Sequence, residues 1–149
     1  YTDDESTAKV AAALDVPVAG GEQEWELGRF KTLLRDNVVD TIQPDVIKIG
    51  GLLKAKKIGA LAEAFGAPIT QHSTQPTIGT VAMLHFAAVC PAAWTPQELS
   101  VASIKREHPL CRALVEPDLT VRDGCLRVPD APGLGVQFDD DRLAELRQS

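Results

Sequence analysis

Residues 40–72 read DTIQPDVIKIGGLLKAKKIGALAEAFGAPITQH, and this stretch decides the fold. Asp40 to Gln43 predicts a short strand closed by Pro44-Asp45. Gly50-Gly51 then opens a segment in which Ala55, Ile58, Leu61, Ala62 and Phe65 recur at helical spacing. Gly66 ends that helix, as a residue tolerant of the left-handed conformation does. Pro68 to Gln71 predicts the next strand, which stops at His72. Strand, long helix, strand is the pattern of a parallel βα unit, and it places the chain in the α/β class.

The pattern extends in both directions. Toward the N-terminus, Ser6 or Thr7 is placed to cap a helix carrying Ala8, Ala11, Ala12 and Leu14. A strand over Val16 to Ala19 follows, broken by Gly20-Gly21. A second helix has Leu27, Phe30, Leu33 and Leu34 on one face, with Arg29, Lys31 and Arg35 off it. Toward the C-terminus, residues 79–89 predict a helix apolar on nearly every side and therefore buried, and Ala93 to Thr95 predicts a fourth short strand. After Glu98 the pattern changes. Leu119 to Val128 alternates around Asp123-Gly124, a strong hairpin signal. Pro132 to Val136 is rich in turns, and Asp141 to Arg147 predicts a terminal helix. The expected organisation is a βα part over 1–100 and an appendage over 101–149 that docks elsewhere.

Composition excludes several classes. An apolar fraction of 44% with 24% charge belongs to a soluble globular protein. No apolar run reaches the roughly 20 residues that cross a bilayer, and the acidic Tyr1 to Glu5 lacks the features of a secretory signal. The formal charge of −6 argues against nucleic acid or an anionic membrane surface as partner. Lys54, Lys56 and Lys57 read as the wet face of a helix. Cys90, Cys111 and Cys125 lack metal-type spacing and read as reduced thiols of a cytoplasmic protein.

One polar residue stands at the C-terminal end of each strand: Glu22, Asp45, His72 and Glu98, at spacings of 23, 27 and 26. A (β/α)8 barrel averages roughly 31 residues per unit and builds its active site at that end of its strands. Side chains alternate along a strand, so Gln43 and Asp45 share one face, as do Thr70 and His72. Blander readings stand beside the catalytic one. Glu22 also reads as a helix N-terminal carboxylate, Asp45 as a turn residue, His72 as a bonded loop histidine and Glu98 as a solvated loop glutamate. His85, on an apolar helix, reads as a satisfied interior histidine, and His108 as surface. Trp25 and Trp94 read as packing residues. Gly50-Gly51 lacks the spacing of a dinucleotide fingerprint.

The segments Val16 to Glu22, Gln43-Pro44-Asp45 with Gly50-Gly51, and His72 followed by Ile78-Gly79 resemble the enolase superfamily. The likeness is to its mandelate racemase-like branch, which includes the acid-sugar dehydratases. Asp123-Gly124, Val128-Pro129 and Pro132 to Val136 are similar to that family's tail. The resemblance implies the C-terminal half, strands five to eight, of a TIM-type barrel, with a tail returning to a capping domain. It implies that Glu22 is the third magnesium-binding carboxylate, on strand five. Asp45 and His72 match the family's aspartate–histidine dyad on strands six and seven. Glu98 matches the acidic residue of strand eight that hydrogen-bonds the enolate. A branch of the family with a lysine base on strand six would place it where Asp45 stands, and Lys48 is no substitute.

The implied reaction takes the proton next to a carboxylate and eliminates water from an acid sugar. Mg2+ on hard oxygen ligands would balance the charge of the enediolate. A histidine suits proton transfer near neutral pH, and a neighbouring carboxylate orients its ring and favours its protonated form. Glu98, as a hydrogen-bond donor, acts in its acid form. The resemblance places the other two metal carboxylates, a second-strand base and the capping domain before Tyr1. A missing N-terminal segment of the same protein is therefore an expected partner, beside a sugar-acid substrate and further copies of the chain. Racemisation, epimerisation or cycloisomerisation is the alternative within the superfamily. A non-catalytic half-barrel serving in assembly is the alternative outside it, and it predicts no magnesium dependence.

Overall fold

The computed structural model describes residues 3–100 and 108–147. The chain divides into two compact units, Tyr1–His72 with Phe86–Glu98, and Ser73–His85 with Leu99–Ser149. The boundary expected at residue 101 lies outside the described residues.

In the first unit, β1 (Ala19–Gly20) pairs in parallel with β2 (Thr41–Ile42), with Ala19 opposite Thr41 and Gly20 opposite Ile42. Ile42 bridges onward, again in parallel, to Ile69. Backbone bonds lengthen the ladder beyond the formal strands. Gln43 N–H donates to Gly20 O at 2.7 Å, Ile42 N–H to Pro68 O at 3.2 Å and Ile69 N–H to Ala92 O at 2.8 Å. The first three expected strand positions therefore lie side by side in parallel order, and a single bond carries the ladder on to Ala92. Ile42 and Ile69 are fully buried, as the central residues of a parallel sheet are.

Helices make the crossovers. In α2 (Leu27–Arg35), the spacing of Phe30, Leu33 and Leu34 puts all three on one buried face. In α3 (Leu52–Phe65), Ala55, Ile58, Gly59 and Ala62 are buried. Its end is set by Gly66 at φ 65°, with Ala67 N–H bonded to Ala62 O at 3.0 Å, the Schellman pattern. Gly59 has a packing reason. A Cβ there would lie 2.9 Å from Cys90 Sγ and 3.3 Å from Phe86 Cζ, so hydrogen at Cα admits those side chains.

Five expectations change. The helix α1 (Asp4–Ala13) is capped by Asp3, whose carboxylate accepts Ser6 N–H at 2.9 Å, and not by Ser6 or Thr7. Val16 is exposed, and Pro17 has no N–H to give a ladder, so β1 begins only at Ala19. Ala93 to Thr95 forms no strand, because Ala93 N–H turns back to Cys90 O at 3.0 Å. Trp25 and Trp94, at 59% and 69% exposure, do not pack into this chain's core. The helix α4 (Ile78–Val89) buries Thr80, Val81, Ala82, Met83 and Phe86, but Ile78 and Val89 are exposed, so its burial is one-sided.

The second unit is small. After α5 (Pro109–Ala113), β3 (Leu114–Glu116) pairs antiparallel with β4 (Gln137–Phe138), and α6 (Asp140–Leu146) follows. Val81, Leu114 and Leu119 are its core, packed by Leu84, Leu126, Leu134, Val136 and Phe138. The hairpin is a minimal one, closed by reciprocal Arg122–Cys125 bonds of 2.9 Å, with Asp123 at φ 50° and Gly124 at φ 75°. Both central residues take positive φ, as a type I′ turn requires. His85 is half-buried, its Nε2 3.1 Å from Leu134 O, and His108 is exposed. The cysteines are free. No helix among the described residues is long and apolar enough to cross a membrane.

Two outcomes follow for the protein carrying this chain. Gly59→Leu should lower stability by about 1–3 kcal/mol through overpacking, read as a lower urea midpoint with an unchanged slope. Arg29 binds Asp4 of α1 through two bonds of 2.9 and 3.0 Å, and Glu24 at 3.0 Å. That hydrogen-bonded guanidinium holds the Asp4 carboxyl below its ordinary value of 3.8. A depressed folded value contributes stability above the unfolded pKa and loses it as pH falls through the folded one. Both groups are about a third exposed, so Arg29→Met should cost no more than about 1 kcal/mol at pH 7. In urea titrations that deficit should fade at pH below 3.8.

Candidate active site

Pro44 and Asp45 follow β2, and both act on His72. Pro44 O accepts the His72 N–H at 3.2 Å, which sets the register of the third parallel segment. Asp45 Oδ2 lies 3.0 Å from His72 Nδ1. The other oxygen, Oδ1, accepts the backbone N–H groups of Ile47 at 2.8 Å and Lys48 at 3.1 Å. Asp45 is thus a turn residue and the histidine's partner at once, so the two readings of its sequence position are compatible. Its exposure is 1% and that of the His72 side chain 14%. With Nδ1–H directed at the carboxylate, the lone pair is on Nε2, the atom left for proton transfer.

Glu98 is half-buried, and Gln43 Nε2 approaches its Oε2 at 3.5 Å, the long end of hydrogen bonding. Gln43 precedes Pro44-Asp45, and strand alternation sends its side chain to the same side as Asp45. Asp45, His72 and Glu98 are therefore tied to neighbouring segments of one ladder.

Glu22 follows Gly21, whose φ of 105° suits glycine. The helix-terminus reading of Glu22 fails, because α2 starts only at Leu27 with Glu26 as its cap. Glu22 is half-buried and lines a cavity of about 210 Å³ with Glu24, Arg29, Gly20 and Gly21. Its carbonyl accepts Lys48 Nζ at 3.2 Å. A half-buried carboxylate beside a cavity suits a hard cation as one oxygen donor. Among the described residues there is no group of three or more His, Cys, Asp or Glu that could hold a metal ion.

Sequence reasoning missed Gln97. Its Oε1 accepts Gln71 N–H at 2.8 Å, and its Nε2 donates to Ile69 O at 3.0 Å and Thr95 O at 2.8 Å. The available signal was Pro96, which cannot donate from its own backbone and leaves the ladder to neighbouring side chains.

The family model described as enolase C-terminal domain-like matches residues 1–142. The arabinonate dehydratase of Saccharolobus solfataricus is 31% identical over 95% of this chain and 36% of its own length. The D-galactarolactone cycloisomerase of Agrobacterium fabrum is 33% identical over 94% of this chain and 38% of its own. The crystal structure of a mandelate racemase/muconate lactonizing protein from Paracoccus denitrificans, complexed with magnesium, superposes with a TM-score of 0.82 at 34% identity. That match covers 95% of this chain and 36% of that one. The chain therefore spans about a third of the length of these relatives. It belongs to the enolase C-terminal domain-like family, within the mandelate racemase-like branch that includes the acid-sugar dehydratases.

Proposed function

We propose that the protein carrying this chain is a magnesium-dependent lyase that removes the proton next to a carboxylate and eliminates water from an acid sugar. The observation that supports it most is the 3.0 Å contact between Asp45 and His72 at adjacent strand tips. On this reading the parallel segments are strands five to eight of a (β/α)8 barrel, residues 1–100 are its half, and 101–149 pack on a capping domain. Glu22 is one magnesium ligand, and the bound cation supplies positive charge to the developing enediolate.

The chain's own residues divide the remaining work. His72 Nε2 carries the proton, either taking it from the α-carbon or giving it to the departing hydroxyl. Asp45 fixes the tautomer and ring plane, with Oδ1 held by the turn so that Oδ2 has one place to be. Glu98, beside Gln43, hydrogen-bonds the enediolate. The similarity to a dehydratase favours elimination. The cycloisomerase at 33% identity supports a second reading, in which the same proton transfer ends in ring opening or closure without loss of water.

The test uses full-length protein with magnesium and a panel of aldonates and aldarates: arabinonate, D-xylonate, D-galactonate and galactarate. α-Proton exchange into deuterium oxide, with loss of water, is expected for at least one. Exchange without dehydration would select the second reading. His72→Asn should lower kcat by about 10²–10⁴-fold with the melting temperature unchanged, and a fully active variant would remove the proposed role. Chelation should abolish turnover, and Glu22→Gln should weaken magnesium binding measured by calorimetry. Turnover that survives chelation would leave only a metal-free reading, and no turnover on any of the panel would leave the non-catalytic one.

A further inference from the structure

Resting on the reading of Glu98 above, we propose that Gln97 is a positioning residue whose carboxamide replaces a strand rung and thereby fixes Glu98 in the site. The reference pattern lies one segment away. Ile42 donates to Pro68 O and accepts from Thr70 N–H, both at 3.2 Å, the two bonds by which one residue of a parallel strand grips its neighbour. The Gln97 side chain repeats that grip one residue further on. It donates to Ile69 O at 3.0 Å and accepts from Gln71 N–H at 2.8 Å. A carboxamide carries the same N–H and C=O as a peptide group, so the replacement is chemically like for like.

The main chain is short of donors at this point. Ala93 N–H is spent on Cys90 O, and Pro96 has none. The remaining Nε2 hydrogen goes to Thr95 O at 2.8 Å, which ties the surrogate rung to its own backbone. Thr95 Oγ1 adds a bond to Ile69 O at 3.1 Å and lies 2.9 Å from Thr70 Oγ1, while Thr70 Oγ1 reaches Pro96 O at 3.3 Å. Residues 95–97 are thus held to Ile69–Gln71 by side chains, and Glu98 is the next residue. His72 follows Gln71 directly, so the same rung lies one residue from each of the two groups. Asparagine would be a methylene too short. Glutamate would lose both donors and set an anion against two carbonyls.

The test is made in the full-length protein with Gln97→Met, which keeps length and loses both polar atoms, and Gln97→Glu, which keeps the acceptor for Gln71 N–H. Circular dichroism and urea unfolding establish that each variant folds. The reaction is followed by α-proton exchange on the aldonate and aldarate panel, with Glu98→Gln measured alongside. Gln97→Met should lower kcat by about 100-fold, with KM changed by no more than about twofold. Gln71 amide exchange should accelerate by about tenfold in Gln97→Met, as loss of one hydrogen bond requires. Gln97→Glu should leave that amide protected and still lose kcat. Adding Gln97→Met to Glu98→Gln should cost less than about twofold more, since one residue acts through the other. Multiplicative losses, or an unchanged Gln71 amide, would overturn the proposal and leave the role of Glu98 standing. A fully active Glu98→Gln would overturn that role, and with it this one.

Discussion

A carboxylate at 1% exposure is tolerable only if its oxygens are bonded, and Asp45 meets that demand by dividing them. Two backbone N–H groups take Oδ1, and the His72 ring takes Oδ2. Pro44, one residue earlier, holds the His72 backbone. A single dipeptide therefore sets both where the histidine's chain runs and where its ring points. A slip of one residue between these segments would turn His72 to the opposite face and leave the Asp45 charge buried without its partner. The register of the ladder and the chemistry of the dyad are the same constraint.

What was legible in the sequence follows from what is periodic or sterically unique. Phe30, Leu33 and Leu34 announced α2 because helical spacing leaves no other common face. Gly66 and Asp123-Gly124 announced a helix end and a tight turn because positive φ is costly elsewhere. The places of Asp45 and His72 were legible because they sit at corresponding tips of consecutive βα units, and their pairing was what the family resemblance implied. The cap of α1 was not, since only Ala11 of that helix is buried and the apolar pattern sets no phase to choose among Asp3, Ser6 and Thr7. Strand lengths were not legible either. Proline at 17 and the turn at Ala93 remove backbone donors, and a strand is shortened by that loss whatever its side-chain pattern suggests. Gln97 was invisible for a related reason: a side chain acting as backbone leaves no period, and in a linear sequence it reads as loop.

The trimming of the strands shows where the precision of the site comes from. Lys48 spans from the Asp45 turn to the Glu22 carbonyl, and it would be natural to credit it with joining the metal-type carboxylate to the dyad. Lys48 is exposed, however, and an ammonium in water holds a carbonyl weakly and pays side-chain entropy to do so. The stronger link is the Gln43 N–H to Gly20 O bond at 2.7 Å, backbone to backbone, between the ends of β1 and β2. It fixes the tip that carries Glu22 relative to the tip that carries Asp45, and it costs no long side chain its freedom. The surrogate rung at Gln97 then does at the Glu98 end, with a side chain, what the main chain does at the Glu22 end. Glu98 therefore rests on rotamers that Glu22 and Asp45 do not need, and it is the member of the constellation whose placement depends most on its immediate neighbours.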